Sequence, residues 1–161
     1  MGFTAAGISP TTNTTTQQAP LGFELTVPNG DKGNITYIYV KNSSGGVIAA
    51  NDMVQRKDSG DSTDVIESYE VAEAAASQHS ICIVGCAIAS IADGSYAFVI
   101  KKGIATVNGA AAVVHNRPLV MSGTAGQVAG DDDDNDLMSF GQSLGGRADA
   151  GTFNAYINCL G

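Results

Sequence analysis

The sequence predicts an all-β domain, a small antiparallel barrel or sandwich preceded by an extended N-terminal arm. Three observations carry this. Twenty glycines and only 15% charged residues among 161 positions describe short strands joined by tight turns, not helices rich in Glu, Lys, Leu and Arg. Aromatic residues make up 6% and Trp is absent, so the core has to be built from Val, Ile, Ala and Leu. From residue 35 onward, β-branched runs alternate with clusters of Gly, Asn, Asp and Ser, the pattern of strands between turns. A chain of this length suits one domain, since domains peak at about 100–150 residues. It buries roughly two thirds of its unfolded surface, enough for a core without staples.

Residues 1–34 form the arm and residues 35–161 the β domain. The stretch 9–20 is polar and β-branched, with Pro10 and Pro20 near its ends, and has no apolar period to nucleate a helix or a packed strand. It is expected to be disordered in a free monomer and to order against a partner. Phe3, Ile8, Leu21 and Phe23 are its candidate anchors, and Pro10, Thr14, Gln17 and Pro20 lie between them on an extended backbone.

Residues 35–40 are β-branched and aromatic, bounded by Gly33-Asn34 and by a turn over 42–46. Two short apolar pieces over 47–56 imply a bend at Asn51-Asp52. Residues 58–62 read as a turn, 64–70 as a further strand, and the Ala- and Glu-rich stretch 71–80 as the one place for a helical turn. Residues 81–91 are almost wholly apolar, and Asp93-Gly94 supplies a hairpin turn before 95–100 and 104–107. Gly85 and Gly103, inside these runs, mark bulges that curl a sheet. Asn108-Gly109 is a second turn signal. Short strands over 117–122, 127–128, 137–144 and 152–160 complete nine or ten.

Sixteen acids against eight bases give a net charge of −8, which argues against nucleic acid and against an anionic membrane. No basic segment followed by an apolar one opens the chain, and no apolar run reaches membrane-spanning length, so neither classical secretion nor a membrane span is expected. Cys82, Cys86 and Cys159 are an odd number, which leaves no complete disulfide framework and points to folding in a reducing cytoplasm. The Asn-X-Ser/Thr triplets at Asn13, Asn34 and Asn42 read as products of composition.

The stretch 84–99, with Val84-Gly85-Cys86-Ala87 ahead of Ala92-Asp93-Gly94 and an aromatic-bearing strand, resembles a segment recurring in head decoration (capsid cement) proteins of tailed phages. The run 118–128, where Pro118-Leu119 opens a strand and Ser122-Gly123-Thr124-Ala125-Gly126 turns it back, is similar to the next recurrent piece. So is Tyr39-Val40-Lys41-Asn42 followed by Gly45-Gly46. The resemblance spans residues 35–160 and rests on turn glycines and strand residues. The sequence departs from the pattern at Cys86, where Val or Ala is usual, and in its acidic loop. The resemblance implies a β-barrel or β-tulip on the outer face of the capsid lattice, a homo-dimer or homo-trimer bound to the major capsid protein, made in the host cytoplasm and carried on the virion. The arm residues named above then become the expected contacts with capsid or sister subunit.

No catalytic centre, cofactor site or metal site is predicted. The Gly-X-Ser-X-Gly run Gly141-Gln142-Ser143-Leu144-Gly145 is followed by Gly146-Arg147 and not by a helix-forming stretch, so neither His79 nor His115 is assigned an activated nucleophile. Cys82 and Cys86 lack the Cys-X2-Cys spacing of a zinc knuckle, and their spacing in a strand puts both on one core-facing side. The acidic run 131–136 lacks the Gly and Glu positions of a calcium loop and reads as a solvated loop. The function expected is non-enzymatic stabilisation of the capsid exterior. The alternative is an adhesion or receptor-binding module of a phage fibre or spike.

Overall fold

The computed structural model describes residues 9–57, 68–131 and 139–161. Within them are β1 (Glu24–Pro28), β2 (Asn34–Asn42), β3 (Met53–Arg56), β4 (Glu70–Glu73), β5 (Ile83–Ala87), β6 (Tyr96–Gly109), β7 (Pro118–Met121), β8 (Val128–Gly130), β9 (Gly141–Ser143) and β10 (Gly151–Asn158). Two short 3-10 turns, Gly30–Lys32 and Ser80–Cys82, are the only helical pieces among the described residues. Phe3, Ile8, the turn expected at 58–62 and most of the acidic run 131–136 lie outside the described residues.

The strands form one sheet in the order β1-β2-β4-β3-β5-β6-β10-β9-β7-β8. A further pairing of β2 with β6 joins β2, β4, β3, β5 and β6 into a hydrogen-bonded ring. A second circuit runs β6-β10-β9-β7-β8 and returns to β6 through one parallel pair, Gly109 with Val128. The 14-residue β6 belongs to both. Its first half pairs with β2 and β5, its second half with β10.

What lets one strand serve two circuits is a kink in its middle. Thr36 faces Lys102 and Tyr37 faces Ile100, so Lys101 is an extra residue on β6. Gly103, two positions on, has φ +120 and would bring a Cβ to 2.8 Å from Asn34 O, a conformation and a space that only glycine accepts. The same device recurs in β5, where Val54 faces Gly85 but Gln55 faces Ile83, leaving Val84 unpaired. Both bulges stand where the sequence predicts them.

Each circuit encloses apolar side chains. Inside the ring lie Ile38, Val40, Ile48, Val54, Val84, Ile91 and Val99. The larger cluster fills the second circuit with Val107, Leu119, Met121, Phe153 and Ile157, and extends onto the outward side of β3 and β5 through Met53 and Cys86. Ile38, Ile48, Ile83, Leu119 and Ile157 are fully buried. Each contributes roughly 1.5–3 kcal/mol relative to exposure.

The all-β prediction holds, and several local expectations are revised. Strand β1 lies ahead of the predicted arm boundary and pairs with β2 from Glu24↔Ile38 to Pro28↔Asn34. Its short alternation, with Leu25 and Val27 half-buried between exposed neighbours, carries too little apolar signal to stand out. The helical turn expected over 71–80 appears only at its end, because Glu70–Glu73 is a strand. Asn108-Gly109 is no turn: both residues continue β6 and pair with Thr152 and Gly151. The strand expected over 137–144 is Gly141–Ser143 within the described residues. Two pairings, β2 with β4 and β6 with β8, are parallel in an otherwise antiparallel sheet.

Candidate binding surface

The outer side of the β2–β6 pair is aromatic. Successive strand side chains alternate sides, so Tyr37 and Tyr39 share a face with Tyr96 and Phe98 of the facing strand. Tyr39 stacks on Tyr96 with ring centroids 6.1 Å apart and tilts against Phe98 at 5.0 Å. Tyr37 meets Phe98 edge-on at 6.4 Å.

Part of the arm is seated there. Thr14 exchanges two backbone hydrogen bonds with Tyr96, at 2.9 and 2.8 Å, and Asn13 Nδ2 donates to Ser90 O at 2.5 Å. The Gln18 backbone N–H donates to Tyr39 Oη at 3.0 Å. Gly22 N donates to Tyr39 O at 2.8 Å, and Tyr39 N to Phe23 O at 2.9 Å. The Phe23 ring packs edge-on against Phe98 at 6.4 Å. The arm thus docks mainly through backbone groups, with one ring and the Asn13 amide, which is why its side-chain pattern carries no apolar packing signal.

The predicted contact residues separate into two sets. Thr14, Leu21 and Pro10 are half-buried, and Phe23 is turned onto Phe98 although 38% exposed. Gln17 and Pro20 face solvent; Gln17 Nε2 donates to Ala19 O at 2.9 Å, and Pro20 O accepts from Phe23 N at 3.1 Å. The aromatic seat on β2 and β6 is missing from the sequence prediction. Its signal is there, in the i, i+2 spacing of Tyr37 and Tyr39 and of Tyr96 and Phe98.

With the fold and this surface described, comparison with known proteins is informative at one level. No protein family matches the sequence, and no curated protein does. A solved structure does match. It is the N base of the head fibre protein gp8.5 of bacteriophage phi29, with a TM-score of 0.55 and 14% identity over 76% of this chain and 94% of that one. The two share a fold.

Asp52 and Glu73 lie away from the aromatic surface, and Lys41 borders it opposite Tyr96. Asp52 is 6% exposed and accepts from Asn108 Nδ2 at 2.6 Å. Glu73 lies beside it, and a Cβ on Gly126 would approach both carboxyl groups. Burial, then the neighbouring Asp52 charge and hydrogen bond, push the Glu73 carboxyl above its ordinary range. Lys41 Nζ and Glu70 Oε1 pair at 2.9 Å across β2 and β4. Their hydrogen bond holds the Glu70 carboxyl below its ordinary range.

Of the cysteines, Cys86 and Cys159 are buried, whereas Cys82 is half-buried in the 3-10 turn ahead of β5. The expectation that Cys82 and Cys86 share one core-facing side of a strand is therefore revised, because the strand begins only at Ile83. Burial raises both buried thiols, Cys159 to about 12. Cys86 Sγ donates to Thr106 O at 3.3 Å. No group of three or more His, Cys, Asp or Glu among the described residues is arranged to hold a metal ion. Asn42 is fully buried, so its Asn-X-Ser triplet cannot carry a glycan in the folded chain. No helix of the described residues is long and apolar enough to cross a membrane.

Proposed function

We propose that this chain is a structural protein of a phage head that binds the exterior of the capsid lattice and stabilises it, without enzymatic activity. The observation that carries the reading is the fold shared with the N base of a phage head fibre, together with the resemblance of 84–99 and 118–128 to decoration proteins. The partners are the major capsid protein and further copies of this chain, and the place is the virion surface. The mechanism is mass action: a protein that binds only the assembled lattice stabilises it. Many copies act together, so no single contact need be strong.

The arm surface suits this role. Its backbone is held by β2 and β6, so the chain has less freedom to lose on docking than a disordered tail has. Its outward residues, Gln17 and Pro20 among them, then meet a neighbour from a fixed platform. A net charge of −8 argues against the packaged nucleic acid as the partner.

The test is co-sedimentation with undecorated, expanded capsids, comparing the full chain with Gln17→Glu/Pro20→Asp. Saturable binding that weakens in the variant supports capsid decoration through the arm. No binding by the full chain overturns it. The second reading, an adhesion or receptor-binding module of a phage fibre or spike, is favoured by the fold shared with a component of the phi29 head fibre. It predicts binding to host-cell surfaces by the free protein.

A further inference from the structure

The outward side of β10 and of the adjoining half of β6 differs from the rest of this acidic chain. Strand alternation turns Phe153, Ala155 and Ile157 into the core and leaves Asn154, Tyr156 and Asn158 outside. The register sets Tyr156 between Ile104 of β6 and Gln142 of β9. Thr106 Oγ1 bonds Asn154 Oδ1 at 3.2 Å on the same face. No carboxylate of the described residues occupies an outward position on these three strand segments, and Lys102, opposite Asn158, is their one outward charge. Tyr156 is 39% exposed, a large ring left partly in water at the centre of a neutral patch.

Beside this ring is an unfilled cleft of about 210 Å³, in the angle where the kinked β6 leaves the first ring. Ile104 and Thr106 form one wall, and Asn51 and Ile88 help to form the other. Tyr156 stands next to it as the cross-strand neighbour of Ile104.

We propose that a second copy of this chain packs on this face. Two molecules of charge −8 repel, and contact costs least where neither presents an acid. A two-fold contact also requires a self-complementary surface. A projecting ring adjacent to an open cleft meets that need, since a two-fold axis between them sets each ring at the other's cleft. Tyrosine fits the position: its ring buries while its hydroxyl finds the amides of Asn51 or Asn154. The inference deepens the self-association part of the proposed function and is independent of capsid binding.

The experiment measures the molar mass of the full chain in solution by light scattering across a concentration series and at two salt levels, with no capsid present. A dimer that strengthens with salt is expected, because salt screens the repulsion of the acidic remainder and leaves the neutral contact intact. Tyr156→Lys and Asn158→Glu should weaken association, the first on the order of thirtyfold, as for loss of a central aromatic contact. Circular dichroism and melting temperature establish that each variant is folded. Val47→Lys, at a 65% exposed apolar position in the loop between β2 and β3, should leave the mass unchanged. A wild-type chain that stays monomeric at every concentration overturns the inference. So does a dimer indifferent to both face variants. Capsid co-sedimentation by a monomeric chain would sink this inference and leave the decoration reading standing.

Discussion

Replacing Asn42 with alanine should cost the fold more than any other single polar side chain described here. Asn42 is fully buried at the end of β2 and ties together three segments. Its Nδ2 donates to Gly46 O and to Ile91 O, both at 2.8 Å, and its Oδ1 accepts from Ser44 N at 2.9 Å. The first and third bonds close the 42–46 turn, and the second clamps that turn to the Ile48–Ile91 bridge. Each such bond is worth about 0.5–1.5 kcal/mol net. Ser44 and Gly46 are exposed and regain water, while Ile91 O keeps its bond from Ile48 N at 3.0 Å. Three bonds less this recovery give a loss of about 1–4 kcal/mol for Asn42→Ala. For a chain of this size that lowers the melting temperature by roughly 3–15 °C. Asn42→Asp keeps the acceptor but aims a carboxylate at two carbonyls, so at neutral pH it should lose more than alanine does. Urea denaturation is the assay: the midpoint falls while the slope is unchanged. A loss below about 1 kcal/mol for alanine, or wild-type stability for Asp, would refute the clamp.

Three further outcomes are expected. Gly85→Ala puts a Cβ 2.5 Å from Ile100 O and 2.9 Å from Val99 Cγ2, so backbone must move and stability should fall by about 1–3 kcal/mol in the same denaturation assay. Glu73 has its carboxyl raised by burial and by Asp52, so its favourable contribution is present in acid and is lost as pH rises through the raised value. Glu73→Gln should therefore gain stability over wild type at neutral pH, with the gain fading in acid; a gain independent of pH would contradict the pairing. Of the three thiols, Cys86 and Cys159 are buried and raised, so a thiol reagent should modify Cys82 first in the native protein and all three only on unfolding. Equal native rates would place the buried cysteines wrongly.

The arm and the kinked strand bear on function together. Tyr39 and Phe98 belong at once to the β2–β6 pairing that closes the ring and to the aromatic seat that holds Gly22 and Phe23. A docked arm therefore depends on ring closure. Tension on the arm from a bound neighbour would be carried into the ring through two hydrogen bonds to the Tyr39 backbone.

Local backbone chemistry was legible in the sequence. Gly103 and Gly85 stand at bulges because a glycine inside a β-branched run has few other uses, and Gly94 with φ +74 turns the chain where Asp93-Gly94 predicts. Asn51 adopts φ 69 at the predicted bend. The β-branched runs of β2, β5 and β6 declare themselves by composition, whether buried throughout as in β5 or alternating as in the second half of β6. The polar composition of residues 9–20 offers no apolar period, and the segment is held by hydrogen bonds to Tyr96, Ser90 and Tyr39.

Pairing was not legible, because it joins residues far apart in the chain. Asn108-Gly109 permits a turn locally, yet Gly151 and Val128 pair with Gly109 and the Phe153 ring packs against it, which keeps it extended. Glu70–Glu73 has the composition of a helical turn, and becomes strand because β2 and β3 supply partners on both edges. By itself, then, the sequence determined strand-forming tendency, turn chemistry and charge, all set within a few residues. Only the tertiary structure decided that one strand closes two circuits, where the arm lies, and which face stays neutral, since each depends on backbone groups brought together across the whole chain.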